Sequence, residues 1–475
     1  MRRTDLSKWT LPLLVLVTGC EVGPTYRRPQ VEVQAQFRDQ AKAEAASFAD
    51  QPWWAVFSDP VLKDLISQAL EHNYDVRTAV QRVAEYRARA GVQETALLPQ
   101  FDLGAGVSRG RNSIYVPGGG ATSNTINVQS SFSWELDLWG RLRRLNEASL
   151  AQYLATEETR RAVYLATTAQ VAQGYFELRE LDVQLQLAQS NVQAFQGTYD
   201  MFNRRFQGGV ASALEVAQAE AALGDAKGVI PDLERRIQAQ ENQLSFLVGR
   251  NPGPIPRGLS LDAQALPPQI PAGLPSTLLE RRPDLREAEQ ELVAANALVG
   301  VAQADYFPTL SLTGLLGGVS HNLVDLFGPG RDWALGPAVH FAPLQGMALK
   351  YQKAAAVAQW EQSKTHYEAT VTGAFREVST LLTAYQKQAE LEALRSHTVT
   401  AHQEAVRQAT LRYSNGRSNY FEVLDAQQAL FPAQTNLAQA RLARLETLVE
   451  FYKALGSGWN LKDPESPGAW AAPKP

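Results

Sequence analysis

Between Arg141 and Gln207 there is no proline, and apolar residues return at every seventh position: Tyr164, Val171, Leu178, Leu185, Val192, Tyr199 and Phe206. Leu181, Ala188, Phe195 and Phe202 follow members of that series by three. An a/d stripe sustained this long predicts one coiled-coil helix over 141–207. At 1.5 Å per residue it would run about 100 Å. A second helix over 212–249 keeps the register through Val216, Leu223, Ile230, Ile237 and Leu244, with Ala219, Ala226, Leu233 and Leu247. The pattern recurs over 346–414 (Val371, Val378, Tyr385, Val399, Val406, Tyr413, broken at Glu392) and 418–456 (Val423, Leu430, Leu437, Phe451, with Arg444 out of pattern). Alanines at 426, 433, 440 and 454 suit close helix approach. Shorter helical patterns cover 62–98 and 276–305.

Two stretches switch to period two. Phe101, Leu103, Ala105 and Val107 alternate with polar or small residues, as do Ile126, Val128, Phe132, Trp134, Leu136 and Leu138. The second half repeats this with Leu310 and Leu312, then Trp333, Leu335, Val339 and Phe341. Strands are expected at 100–108, 126–138, 309–317 and 332–341, with loops over 109–125 and 317–331. Thirteen residues at about 3.3 Å reach about 43 Å, beyond the tilted strand of about ten residues that crosses a bilayer. With one face apolar and the other polar, these strands fit a barrel wall facing lipid outside and water inside. The other reading is a half-buried sheet in a soluble protein. Four strands do not close a barrel. Two chains would give eight strands and a filled interior, and three would give twelve and an open lumen.

The elements recur because the sequence does. Arg205–Leu223 and Arg412–Leu430 align without a gap at an offset of 207, with seven of nineteen positions identical. Asp75–Pro99 matches Asp284–Pro308 at eight of twenty-five positions, and Gly249 falls on Gly456. A fixed offset marks an internal twofold repeat. The expected organisation is a leader at 1–19, an extended segment at 20–61, and one repeat at 62–250. A mid-height Pro-rich linker at 251–274, a second repeat at 275–456 and a Gly/Pro-rich tail at 457–475 follow. The paired short helices lie end to end beside each long one. The strands then fall at one end and the repeat turns, Gln207–Ser212 and Ser414–Asn419, at the other.

Composition narrows the chemistry. The 475 residues are 45% hydrophobic and 20% charged, with a formal charge of −4 that offers no basic surface for nucleic acid. Without residues 1–19 the charge becomes −6, because Arg2, Arg3 and Lys8 leave with Asp5. One cysteine and six histidines provide little for metal or redox chemistry. His397 and His402 stand five apart on a helix and share no face well. There is no G-x-S-x-G, H-E-x-x-H, Walker or C-x-x-C motif, so no enzyme activity, catalytic residue, metal or cofactor is expected. The cysteine follows a charged start, the apolar run Leu11–Val17 and small residues: Val17-Thr18-Gly19-Cys20. That run is too short to span a bilayer and reads as a removable signal.

The start resembles a bacterial lipobox, which implies lipidation at Cys20. Glu21 rather than Asp after it implies sorting to the outer membrane. Beyond the lipobox the chain resembles the outer-membrane factor family of TolC-like efflux channels, and within it the OprM-like, NodT-type lipoproteins that serve resistance-nodulation-division pumps. The residues carrying this are Cys20-Glu21-Val22-Gly23-Pro24 with Tyr26 and Pro29, and Trp53-Trp54-x-x-Phe57-x-Asp59-Pro60 with Leu62 and Leu65. Arg281-Arg282-Pro283-Asp284-Leu285-Arg286, Tyr306-Phe307-Pro308 and both repeat turns complete them. Leu138-Trp139-Gly140-Arg141 fits the family's strand-to-helix junction, and Leu344-Gln345-Gly346-Met347 departs from it.

The resemblance implies a mainly α protein with four strands per chain. It forms a homotrimer whose twelve-stranded outer-membrane β-barrel continues as a coiled-coil α-helical barrel in the periplasm. It implies a passive exit duct for small molecules, working with a periplasmic adaptor and an inner-membrane pump, set in outer-membrane lipid and opened by separation of the tip hairpins. A type I protein-secretion channel and a non-conducting coiled-coil lipoprotein are the alternatives.

The family's acidic tip residues match Glu422 and Asp425, whose rings in a trimer would favour cations. Arg417 and Tyr413 are candidates for holding the tip closed. Ser212-x-x-Glu215 and Asn419-x-x-Glu422 also read as capping boxes, so Glu422 carries two readings. Asp425 matches Gln218 in the first repeat, so neither capping nor symmetry accounts for it.

Overall fold

A computed structural model describes residues 21–38, 48–52, 56–111, 113–115, 120–264, 266–267, 272–273, 275–341 and 346–457. Cys20, the expected leader at 1–19, Trp53, Trp54, Leu344, Gln345 and the residues from 458 lie outside them. The helices are α1 (Pro60–His72), α2 (Tyr74–Thr95), α3 (Arg141–Gln207), α4 (Ala213–Leu247), α5 (Pro275–Arg281), α6 (Pro283–Ala304), α7 (Gly346–Ser414) and α8 (Phe421–Ala454). The strands are β1 (Gln100–Arg111), β2 (Thr122–Leu136), β3 (Thr309–Ser320) and β4 (Arg331–His340). The fold is mainly helical with one small sheet.

The chain gathers into two compact units. The first takes its described residues from 21–30, Arg82–Glu157 and Glu287–Ala369, and it holds the sheet. The strands run in the order β1-β2-β3-β4 with every pair antiparallel. Directly opposed residues share a face, so the register fixes what lies together. Phe101 opposes Phe132, Val107 opposes Ile126, Trp134 opposes Leu312, Leu316 opposes Trp333 and Leu310 opposes Val339. Except for Leu138 and Phe341, which lie beyond the ends of β2 and β4, the apolar series found by alternation fall on one face. The other carries Asp102, Asn127, Gln129, Ser131, Ser133, Glu135, Thr313 and Asp332.

The strands run further than alternation alone predicts. The ladder continues from Ser108↔Thr125 to Arg111↔Thr122, and β3 runs on to Ser320. Backbone pairing needs no apolar side chain, so Gly, Ser and Asn positions read as loop extend the strands. β2 stops at Leu136 because Asp137 turns to cap α3, accepting from the N–H groups of Leu142 and Arg143 at 3.0 Å each. Residues 21–30 form a strap on this unit. Val22 N–H donates to the Trp139 carbonyl at 3.0 Å, Asn296 donates to the Pro24 carbonyl at 3.0 Å, and Arg28 holds Glu289 through two 2.6 Å bonds. Alanines 148, 151, 294 and 297 pack α3 on α6.

The second unit takes 31–81, Glu158–Arg286 and Thr370 onward. Its core is the heptad stripe of α3 (Val171, Leu178 and Leu181) meeting Leu62, Leu65 and Ile66 of α1, Leu233 and Leu244 of α4, and Leu445 and Val449 of α8, all buried. The single helices expected at 62–98 and 276–305 are each two. The first breaks at Asn73, whose Oδ1 accepts from the N–H groups of Asp75 and Val76 at 2.8 and 3.1 Å and so starts α2. The second breaks at Arg282, because the residue before a proline is pushed out of the α region.

Each break receives the end of another helix. α4 ends in a Schellman turn at Gly249 (φ 75°), and Asn73 donates to the Leu247 carbonyl at 2.8 Å. α8 ends the same way at Gly456 (φ 65°), and Arg282 donates to the Ala454 carbonyl at 2.9 Å. Asn73 and Arg282 stand 209 apart, the offset of the sequence match, and do the same work with different side chains.

Candidate functional site

Both repeat turns lie in the second unit, and both close with the same backbone device. Val210 N–H reaches the Arg205 carbonyl at 2.9 Å and Gly209 N–H the Phe206 carbonyl at 2.9 Å. In the other copy Arg417 N–H reaches the Arg412 carbonyl at 2.8 Å and Gly416 N–H the Tyr413 carbonyl at 2.9 Å. These are Schellman motifs, and Gly209 and Gly416 hold the left-handed residue (φ 73° and 67°). The identical glycine of the sequence match thus has a backbone cause.

After the turns the copies diverge. Ser212 caps α4 in a complete capping box: its hydroxyl accepts from Glu215 N–H at 3.3 Å, and Glu215 Oε2 accepts from Ser212 N–H at 2.7 Å. The Ser212 backbone N–H, aided by its hydroxyl, holds the Glu215 carboxyl below its ordinary range. The matching cap at Asn419 does not form. α8 begins at Phe421, and Tyr420 occupies the cap position in helical conformation with no side-chain cap bond.

The displacing force is aromatic. Tyr420 stacks edge-on against Phe202 at 4.8 Å and against Tyr413 at 5.1 Å, and its hydroxyl bonds Thr198. Burial pushes the Tyr420 hydroxyl above its ordinary pKa, with the nearby Tyr413 adding to the effect. The first copy has Ala213 at this place, so nothing there competes with the serine cap.

Tyr413 accepts a hydrogen bond from Arg205, whose guanidinium lies 5.8 Å from its ring centre. Glu422, freed from capping, faces Arg412 at 3.4 Å. Asp425 and Arg417 are exposed, and neither side chain has an ion pair or hydrogen bond among the described residues. Asn419 lines a cleft of about 180 Å³ with Phe202, Glu215, Gln218, Tyr420 and Leu424.

The structure therefore joins Tyr413 and Glu422 to residues that the sequence did not assign to the site: Arg205, Arg412, Phe202 and Tyr420. Two of these carried a signal, since Arg205 and Arg412 are the identical arginines that open each aligned stretch. Tyr420 carried one only as a mismatch with Ala213. No group of three or more His, Cys, Asp or Glu suited to a metal occurs among the described residues. No helix among them is long and apolar enough to cross a membrane.

Comparison with known proteins agrees with this architecture. The outer membrane efflux protein family matches residues 65–250 and 274–457. The probable efflux pump outer membrane protein TtgC of Pseudomonas putida is 35% identical over 459 residues, covering 94% of each chain. The cation efflux system protein CusC of Escherichia coli is 31% identical, covering 94% of this chain and 98% of that one. Among solved structures, the open state of the Neisseria gonorrhoeae MtrE outer membrane channel superposes with a TM-score of 0.83 at 34% identity, over 92% of this chain and 98% of that one. The outer-membrane channel OprN gives 0.85 at 29% identity, over 93% and 100%. Two matched segments that between them hold the four strands and both repeat turns, with relatives aligned over nearly their whole length, place this chain in the outer membrane efflux protein family.

Proposed function

We propose that the chain is the outer-membrane exit duct of a tripartite efflux system, conducting small molecules passively from a pump and its periplasmic adaptor. The observation that carries this is the strand register. It collects most of the large apolar residues of the four strands, Leu315 and Val319 aside, on one sheet face and the run Asp102, Asn127, Gln129, Ser131, Ser133 and Glu135 on the other, as a wall between lipid and water requires. Three copies supply twelve strands and a lumen, with the long helices continuing the duct into the periplasm. Lipidation at Cys20 tethers the chain to the outer membrane, and the strap that follows it seats the tether on the sheet-bearing unit. The two matched segments are copies of one ancestral unit.

The repeat turns form the periplasmic tip. Tyr413 on Arg205 holds the two hairpins together in the closed state, Glu422 on Arg412 braces the second hairpin across its own turn, and an adaptor opens the tip by separating Tyr413 from Arg205. Asp425, exposed and without a partner among the described residues, supplies the ring of carboxylates that narrows and charges the pore. Single-channel recording in planar bilayers tests both levels. Wild-type protein is expected to conduct with cation preference, and Asp425→Ala to conduct more with that preference weakened. A protein that conducts neither as wild type nor with the Tyr413–Arg205 contact removed by Arg205→Ala overturns the duct. An Asp425→Ala channel identical to wild type overturns the tip assignment alone.

A further inference from the structure

The β3–β4 connection folds back onto the sheet instead of reaching away from it. A short 3-10 turn, Leu323–Asp325, leads into a knot in which the Asp325 carbonyl accepts from Gly328 N–H at 3.2 Å and Gly330 N–H at 2.9 Å. Leu326 is buried, and its carbonyl and side chain occupy the space where a Cβ on Gly318 would stand. Gly318 opposes Val128 and Arg331, and it shares its face with Gly314, which opposes Phe132 and Leu335. The connection is therefore laid over the apolar face of the sheet.

From that position it presents three large apolar side chains outward: Leu323 at 72%, Val324 at 93% and Phe327 at 68% exposure. They continue a band already exposed on the same face, Leu316, Trp333 and Leu335. Arg331, on this face at the start of β4, is also exposed and bonds the Gly328 carbonyl. An apolar wedge beside a cation with an aromatic ring is what the boundary between acyl chains and headgroup phosphates accommodates.

We propose that the β3–β4 turn is a lipid-docking element, with Leu323, Val324 and Phe327 inserted among the acyl chains at the rim of the apolar band and Arg331 at headgroup level. The proposal rests on the reading of the apolar face as lipid-facing. It adds a site to that reading, because a connection between strands is otherwise expected in water.

The test places a bimane label at Val324→Cys or Leu323→Cys in the full chain with Cys20→Ser, reconstituted in phosphatidylcholine vesicles. Leu335→Cys on the apolar face and Asp332→Cys on the polar face serve as controls. Vesicles with acyl chains brominated near the carbonyl are expected to cut emission about twofold at Val324, Leu323 and Leu335 and to leave Asp332 unchanged. Quenching at Leu335 without quenching at Val324 and Leu323 overturns the docking element and leaves the lipid-facing sheet standing. In that case iodide reaching the turn labels shows a turn in water, and iodide failing to reach them shows a contact between protein chains. No quenching at Leu335 overturns the lipid-facing sheet and the docking element together.

Discussion

Asp59 is fully buried, and its carboxylate is the meeting point of three segments. Oδ1 caps α1 through Val61 N–H at 2.9 Å, while Oδ2 accepts from the Tyr175 hydroxyl, Leu259 N–H and Gln264 at 2.8, 2.8 and 2.9 Å. Burial alone would raise its pKa. The bonds from Gln264, Tyr175, Val61 and Leu259 outweigh burial and hold it below the ordinary value. A depressed folded-state pKa adds stability that is present above the unfolded value of about 3.9 and lost as pH falls through the lower folded one. Asp59→Ala takes the acceptor from all four donors and is expected to cost about 3–5 kcal/mol. Asp59→Asn keeps the shape and one acceptor, and is expected to cost about 2 kcal/mol while flattening the loss of stability below pH of about 4. Helix melting by circular dichroism in detergent across that pH range checks both. An Asn variant with the wild-type acid profile would assign that loss to other carboxylates.

Glycines at the helix ends separate two costs that the sequence makes look alike. Gly209 and Gly249 both sit in left-handed conformation after a helix of the first matched segment. A methyl at Gly209 meets nothing within 4 Å, whereas one at Gly249 runs into the His72 carbonyl at the α1–α2 break. Gly209→Ala should therefore cost about 1 kcal/mol for the backbone conformation alone. Gly249→Ala should cost about 3 kcal/mol or more, because the α4 end must lift off that break. Thermal melts of the two variants read the difference directly, and equal shifts would show that α4 does not press on the break.

The same contrast marks what was legible in advance. The stripe of α3 and the alternation of β2 are local periods, visible in any window of the chain, and they gave these elements their type and nearly their ends. The α1–α2 break, the strap on Glu289 and the Asp59 node depend on partners far along the chain (Leu259 and Gln264 lie 200 and 205 residues from Asp59), so no period announces them. At the repeat turns the pattern predicted two capping boxes. The ring of Tyr420, drawn to Phe202 and Tyr413, removed one and left Glu422 to Arg412.

At the scale of the assembled molecule, the sheet poses a problem that one chain does not solve. Its order leaves the outer edges of β1 and β4 without a partner strand among the described residues, over twelve and ten residues. In hydrocarbon each unpaired backbone group costs several kcal/mol, so open edges are not tolerated there. On the proposed reading of the sheet as membrane wall, the edges pair with those of other copies, β1 of one against β4 of the next. Two copies would close eight strands around an interior that side chains fill. The polar face, with Asp102 and Asp332 among its residues, cannot be packed dry without stranding carboxylates. Twelve strands from three copies leave those groups in water. Chemical cross-linking of detergent-solubilised protein is therefore expected to give one-, two- and three-chain bands and nothing larger, and the three-chain species alone is expected to conduct in planar bilayers. A ladder ending at two chains, with no conductance, would mean a sealed eight-stranded barrel whose buried acids are protonated or paired, and would remove the duct. A three-chain species that does not conduct would keep the closure argument and move the block to the repeat turns, where Tyr413 on Arg205 is the contact to break.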